Sequence, residues 1–229
     1  MFACLGCTTI VPQESSGDGN TEQDRLKRMD LTERSLVLNS GRMIVFGILG
    51  RANARNRNGR VYPKHLLERE ARTFHHNHVR MNRALGELDH PNPASPTFRS
   101  LNLNNVSHQV LGYHWSGDDL MGFVEVLPTP AGSMLRDLYR AGFQLGMSSR
   151  GWATLKETDG FIYIQEDFEL ITFDFVSDPS TEGAYLRPLQ RRFEKLQAPI
   201  DINSTFRSFM KHSQSQRNNE AAGTGVAGT

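Results

Sequence analysis

The central part of the chain, residues 36–189, consists mainly of short runs that favour β-strands. Residues 43–50 (MIVFGILG) form an apolar run that is typical of a buried strand. Residues 106–127 contain two alternating runs around Ser-Gly-Asp-Asp, a pattern that predicts a β-hairpin. More strand-like runs follow between residues 146 and 180. Because exposed strand edges pair with other chains, we expect these strands to close, or nearly close, into a barrel.

Two segments with helical spacing interrupt the strands. Residues 64–79 carry apolar residues three or four positions apart, near one face of a helix. Residues 129–142 begin with a proline in the first predicted turn and end with a glycine, as helices often do. The predicted fold class is therefore α+β, a mostly antiparallel β-barrel with flanking helices.

The two ends of the chain have a different composition. Residues 12–30 are polar, have no aromatic side chains and show no strand alternation, and the chain after about residue 190 becomes low in complexity. Hydrophobic residues make up 38% of the whole sequence, slightly low for a chain that folds throughout. We therefore expect a flexible N-terminal segment (1–35), one folded domain (36–189) and a polar C-terminal tail (190–229).

Charge, cysteine content and hydropathy exclude several classes of protein. The 26 Lys and Arg residues against 25 Asp and Glu residues argue against a protein whose main task is to neutralise phosphates. The loop Arg51–Arg60, which has four arginines, nevertheless leaves a nucleic-acid-binding module as an alternative. The two cysteines, Cys4 and Cys7, are too few for a disulfide scaffold or a four-ligand structural zinc site. We expect no metal, no cofactor and, without an apolar run of about 18 residues, no membrane span.

Three short segments carry residues that could form a catalytic site. His90 ends the segment GELDHP, Ser148 and Ser149 lie between glycines in GMSSRG, and Asp174 lies in the strand-like ITFDFVSDPS. Each residue by itself is more typical of a structural position than of a catalytic one. Together they supply a base, a nucleophile and an acid that could orient the base.

Four segments of this chain, in this order, resemble those of a known family. They are residues 57–63 (RNGRVYP), 86–91 (GELDHP), 146–151 (GMSSRG) and 173–180 (FDFVSDPS). In order and spacing they are similar to the prohead core proteases of T-even-type bacteriophages, capsid maturation proteases related to herpesvirus assemblin. The resemblance covers about residues 40–188, and four ordered motifs make it specific.

The resemblance implies a serine endopeptidase on a β-barrel, with the catalytic groups in the matching motifs. His90 would be the base and Ser148 the nucleophile, with Ser149 as the second candidate. The third member is assigned to Asp174 from its position on the later strand.

The oxyanion side of the site is expected next to the serines. Ser149, Arg150 and Gly151 follow the nucleophile, and we expect this segment to supply or support the groups that stabilise the oxyanion.

The resemblance also implies substrates and a location. The enzyme would cleave scaffold or core proteins and the precursor of the major capsid protein, inside the viral prohead in the host cytoplasm, where copies of it could self-associate. It would need neither a membrane nor a specific nucleic acid. The alternatives are the nucleic-acid module and an inactive scaffold or capsid structural protein that keeps a protease fold.

Self-processing is a further expectation from the resemblance. It implies a preference for Leu or Ile, then any residue, then Glu directly before the bond that is cut. Leu31-Thr32-Glu33 fits this pattern and follows the polar segment. We therefore predict self-cleavage between Glu33 and Arg34, which would make residues 1–33 a propeptide.

Overall fold

The computed structural model describes residues 22–190 and residue 193. The helices span Glu22–Arg28 (α1), Leu31–Leu38 (α2), Lys64–Phe74 (α3) and Pro130–Arg140 (α4). The strands span Met43–Arg51 (β1), Arg60–Val61 (β2), Leu85–Glu87 (β3), Val106–Ser116 (β4), Asp119–Val126 (β5), Leu145–Trp152 (β6), Leu155–Thr158 (β7), Phe161–Ile164 (β8), Glu169–Val176 (β9) and Tyr185–Pro188 (β10). A π-helical turn, His75–Val79, extends α3, and a 3₁₀ turn, Leu103–Asn105, precedes β4.

Seven strands form one antiparallel sheet in the order β3-β4-β5-β1-β10-β6-β9. Its two edge strands approach each other where Leu88 forms a bridge with Phe175, and the Glu87 N–H donates to Asp174 Oδ1 over 2.9 Å. The sheet is therefore nearly closed, and the predicted barrel with flanking helices is confirmed. A smaller sheet, β2-β8-β7, lies beside it.

The barrel core is built by the strands and by α3. Side chains that are at most 2% exposed include Met43, Val45, Leu49, Val124, Met147, Phe173, Phe175 and Leu186. The apolar face predicted for α3 is buried as well, and Phe74 packs edge-on against Phe173 with ring centres 5.5 Å apart. The helix therefore joins the core through the face that its sequence periodicity predicts.

The N-terminal segment differs from its predicted flexible state where the structure describes it. Asp30 caps α2 by accepting hydrogen bonds from the N–H groups of Thr32 (2.8 Å) and Glu33 (3.0 Å). Ser35 is fully buried and its hydroxyl donates to the carbonyl of Ile44 in β1 (3.0 Å). The expected domain boundary at residue 36 thus falls inside a helix that packs on the barrel. Residues 1–21, and the expected C-terminal tail apart from residues 190 and 193, lie outside the described residues.

Candidate active site

The pairing of β6 with β9 sets the positions of two of the predicted catalytic residues. Ser148 lies directly opposite Asp174 in this antiparallel pair, so both side chains project from the same face of the sheet. Ser148 is half-buried, whereas Asp174 is fully buried. The strands therefore place the partly exposed hydroxyl of Ser148 next to the buried carboxylate of Asp174.

The loop after β3 brings His90 to the same place. The Asp89 N–H donates to the carbonyl of Phe175 in β9 (2.7 Å), and the His90 N–H donates to Asp89 Oδ1 (2.9 Å). Asp89 has a φ of 72°, a left-handed conformation that aspartate tolerates better than most residues. His90 Nδ1 lies 2.7 Å from Asp174 Oδ2. With an ionised Asp174 this contact requires a proton on Nδ1, so the other ring nitrogen, Nε2, is free to act as a base.

The two serines of GMSSRG lie on opposite faces of β6. Ser149 is paired with Phe173, whose side chain belongs to the core, whereas Ser148 is paired with Asp174. Strand alternation therefore separates the serines, and only Ser148 shares a face with the predicted acid. The sequence motif left this choice open because the pairing partner of each serine lies on a distant segment.

Arg150 is fully buried, and its guanidinium contacts groups of the protein itself. Nη2 donates to Glu87 Oε1 (2.8 Å) and to Asp174 Oδ1 (3.3 Å), and Nη1 donates to the carbonyls of Phe98 and Ser100 (3.3 Å each). These contacts give both Nη atoms of Arg150 acceptors within the protein.

Gly151 lies at a bulge, where the register of β6 against β9 shifts after Arg150. A Cβ at this position would lie 2.7 Å from the carbonyl oxygen of Glu169 and 2.7 Å from the ring of Phe168. Only a glycine fits this close packing. The bulge itself bends the strand next to the serines.

Glu87 is a residue of this site that the sequence reasoning missed. It is 2% exposed, and besides Arg150 it accepts hydrogen bonds from the Asn102 N–H (Oε1, 3.1 Å) and from Asn105 Nδ2 (Oε2, 3.3 Å). The signal available in the sequence was its place in GELDHP, three positions before His90. In the structure Glu87 ends strand β3 and its side chain lies in the interior.

A second histidine, His108, lies close to the site and has a structural role. Its Nε2 lies 3.0 Å from the carbonyl oxygen of Phe173, and its Nδ1 lies 2.9 Å from Ser107 Oγ. Complete burial lowers the pKa of His108 to about 4, although the charge of Asp174 acts in the opposite direction. His108 is therefore neutral at neutral pH, and both of its ring nitrogens have partners in the barrel wall.

The remaining two motifs meet beside β6. The side chain of Arg57 forms an ion pair with Asp178, and its N–H donates to the carbonyl of Ser180 (2.9 Å). Pro179 covers Gly146, where a Cβ would lie 2.4 Å from the proline ring. The four segments that carry the family resemblance therefore meet at strands β6 and β9.

The loop Arg51–Arg60 offers little support for a nucleic-acid interface. Arg51 pairs with Asp119 (2.5 Å), and Arg57 pairs with Asp178. Acidic partners thus neutralise two of the four arginines on which this alternative depends.

Within residues 22–190 and 193, no group of three or more His, Cys, Asp or Glu side chains is arranged to hold a metal ion. In the same part of the chain, no helix combines the length and the apolar character needed to cross a bilayer. Cys4 and Cys7 lie outside the described residues.

The chain is similar to known proteins over most of its described length. The family described as "Prohead core protein serine protease" matches residues 24–192. The chain is 32% identical over 152 residues to the prohead core protein protease of Enterobacteria phage T4, covering 64% of this chain and 68% of that protein. It also matches the solved structure of the bacteriophage T4 capsid assembly protease with a TM-score of 0.55 and 31% identity, over 59% of this chain and 82% of that one. The chain belongs to the prohead core protein serine protease family.

Proposed function

We propose that this protein is a capsid maturation protease of the serine type, with Ser148 as nucleophile, His90 as base and Asp174 as the acid that orients the base. The observation that carries the proposal is the 2.7 Å contact of His90 Nδ1 with Asp174 Oδ2, beside a serine that lies directly opposite that aspartate. Membership of the family supports the protease activity.

The chemistry follows from these positions. His90 Nε2 takes the proton of Ser148 Oγ as the oxygen attacks the carbonyl carbon of the scissile peptide bond. The imidazolium that results is stabilised by Asp174, and it then gives the proton to the leaving amine. An acyl-enzyme ester remains at Ser148. Water, deprotonated by His90, hydrolyses the ester and restores the serine.

In this proposal, backbone N–H groups stabilise the oxyanion. The guanidinium of Arg150 is held by acceptors inside the protein, so it cannot also donate to a substrate oxygen without breaking those contacts. The backbone around Ser149 and Gly151 follows the nucleophile directly and is the segment that we assign to this role.

The substrates are inferred from the relatives. One is described as a capsid assembly protease and another as a prohead core protein protease. We propose that this chain acts in the same setting, on scaffold or core proteins and on the precursor of the major capsid protein, inside the prohead in the host cytoplasm. Self-association there stays a prediction.

The test of the proposal is whether His90 and Ser148 act as one unit. With an unfolded scaffold peptide as substrate, His90→Ala and Ser148→Ala should lose activity to a similar extent, and the double variant should be no worse than either. His65→Ala, which changes an exposed histidine on α3, is the control and should keep full activity. Losses that add in the double variant would show that the two residues do not work together.

Self-cleavage at Glu33–Arg34 needs a revised expectation, because the bond lies in helix α2 rather than in a flexible segment. The Arg34 N–H donates to the carbonyl of Asp30 (3.0 Å), and the Glu33 carboxylate pairs with Arg140 (2.8 Å). The helix must therefore open before this bond can enter an active site, which makes cleavage slow.

Asp30→Ala, which removes the N-cap of α2, is expected to accelerate cleavage at this bond. Intact-mass measurement over time should detect a new N-terminus at Arg34 in the active protein and in Asp30→Ala, but not in Ser148→Ala. An unchanged N-terminus in Asp30→Ala that still cuts scaffold would remove Glu33–Arg34 as a cleavage site.

A further inference from the structure

The buried part of the site holds one cation between two carboxylates. The side chains of Arg150, Glu87 and Asp174 are 0%, 2% and 0% exposed. Together, these three groups have one more formal negative charge than positive charge, and they lie next to His90. We propose that Glu87 is a positioning residue of the catalytic site, which binds Arg150 so that the charge of Asp174 stays available to His90. This inference rests on the proposed function.

Arg150 contacts both carboxylates, and its shortest hydrogen bond goes to Glu87. The hydrogen bond from Nη2 to Glu87 Oε1 is 2.8 Å long, whereas the bond from Nη2 to Asp174 Oδ1 is 3.3 Å long. Nε lies 2.9 Å from Asp174 Oδ2, an ion-pair contact without the alignment of a hydrogen bond. Glu87 thus takes the shortest hydrogen bond of Arg150, while Arg150 contacts both carboxylates over similar distances.

Glu87 also fixes Asp174 through its backbone. Its N–H donates to Asp174 Oδ1 (2.9 Å), while Asp174 Oδ2 faces His90 Nδ1 (2.7 Å). The two carboxylate oxygens of Asp174 therefore have different partners, and this assignment fixes the orientation of the oxygen that holds the histidine. Glu87 contributes to the site twice, with its side chain through Arg150 and with its backbone directly.

Removal of the Glu87 charge has a defined electrostatic consequence. In a protein interior with little water, interactions between charges are several times stronger than in solvent. If Glu87 were neutral, Arg150 would compensate Asp174 alone, and the imidazolium formed at His90 during catalysis would lose the excess negative charge. Asp89 in the loop of His90 itself and the neutral His108 on β4 also lie next to this region.

A purely structural role is the competing explanation. Arg150 binds the carbonyls of Phe98 and Ser100, and Glu87 binds Asn102 and Asn105, so the pair also anchors the loop that follows His90. Loss of this anchor would lower activity without changing the charge beside His90. The experiment therefore needs a readout that responds to charge.

Glu87→Gln keeps the size of the side chain and removes its charge. We expect kcat for a peptide substrate to fall about tenfold or more, with KM changed less than about threefold. We also expect the acidic limb of the pH profile of kcat/KM to move to lower pH by about one unit, because a tenfold change in proton affinity equals one pH unit. Glu125→Gln is the matched control, since it removes the charge of a carboxylate that pairs with Arg42 on another part of the barrel (2.5 Å). It should change stability but neither kcat nor the pH profile.

Glu87→Asp keeps the charge but shortens the side chain, so a displaced acidic limb in this variant would overturn the inference even if Glu87→Gln folds poorly. Under our proposal Glu87→Asp retains the wild-type acidic limb, whatever it loses in rate. If Glu87→Gln and Glu87→Asp lose activity equally and both keep the wild-type limb, the residue is only a structural anchor and the inference is overturned. Full activity in Ser148→Ala would instead overturn the proposed function, which distinguishes that failure from a failure of the role of Glu87.

Discussion

Ser148→Ala is expected to reduce peptide cleavage by about three orders of magnitude or more, while the protein stays folded. Ser148 lies opposite Asp174 and is half-buried, which fits the proposed nucleophile, and removal of one oxygen leaves no large cavity. Initial rates with an unfolded scaffold peptide and a thermal unfolding curve of the same preparation measure the two parts of the prediction.

Ser149→Ala is the matched control for this experiment. Ser149 is adjacent in sequence and similarly exposed, but it is paired with Phe173 rather than with Asp174. We expect it to keep most of the activity. An inactive Ser149→Ala together with an active Ser148→Ala would reverse the assignment of the nucleophile.

Gly86→Ala is expected to have the largest effect on stability. A Cβ at Gly86 would lie 2.1 Å from the carbonyl oxygen of Phe173 and 2.3 Å from His108 Nε2. Both neighbours belong to the buried barrel wall, so β3 must move away from β9 and take the loop of His90 with it. We expect a loss of about 3 kcal/mol or more in the free energy of unfolding, measured by urea denaturation.

Gly112→Ala tests whether this effect comes from the close approach rather than from the loss of a strand glycine. Gly112 lies in β4 and has no heavy atom within 4 Å of an added Cβ. Its substitution should change the free energy of unfolding by less than about 1 kcal/mol. Equal destabilisation by the two substitutions would contradict the packing around Gly86.

The elements predicted correctly from the sequence are those with a local pattern. The hairpin of β4 and β5, the buried strand β1, and the helices α3 and α4 each extend over several residues with clear periodicity or turn residues. The helix α2 was missed because its eight residues have no clear apolar face, and contacts such as that of Ser35 with Ile44 hold it in place. Strand β3 has only three residues, and its pairing with β4 defines it.

The candidate site shows the same division between local and long-range information. The ordered motifs indicated His90, Ser148 and Asp174 as candidates, and the structure brings the histidine and the aspartate to 2.7 Å. The partner of Arg150 lies 63 positions earlier in the chain, so neither the burial of Arg150 nor its pairing with Glu87 could be inferred from residues next to it. Which of the two serines shares a face with Asp174 likewise depends on the strand register.

Covalent labelling with a fluorophosphonate, which reacts with activated serine hydroxyls, tests the central claim most directly. Peptide mass mapping after reaction at neutral pH should locate the label on Ser148. The label should be absent from Ser148→Ala and strongly reduced in His90→Ala, because only a serine with a working base is activated. Label on Ser149, or equal labelling of wild type and His90→Ala, would contradict a site in which His90 activates Ser148.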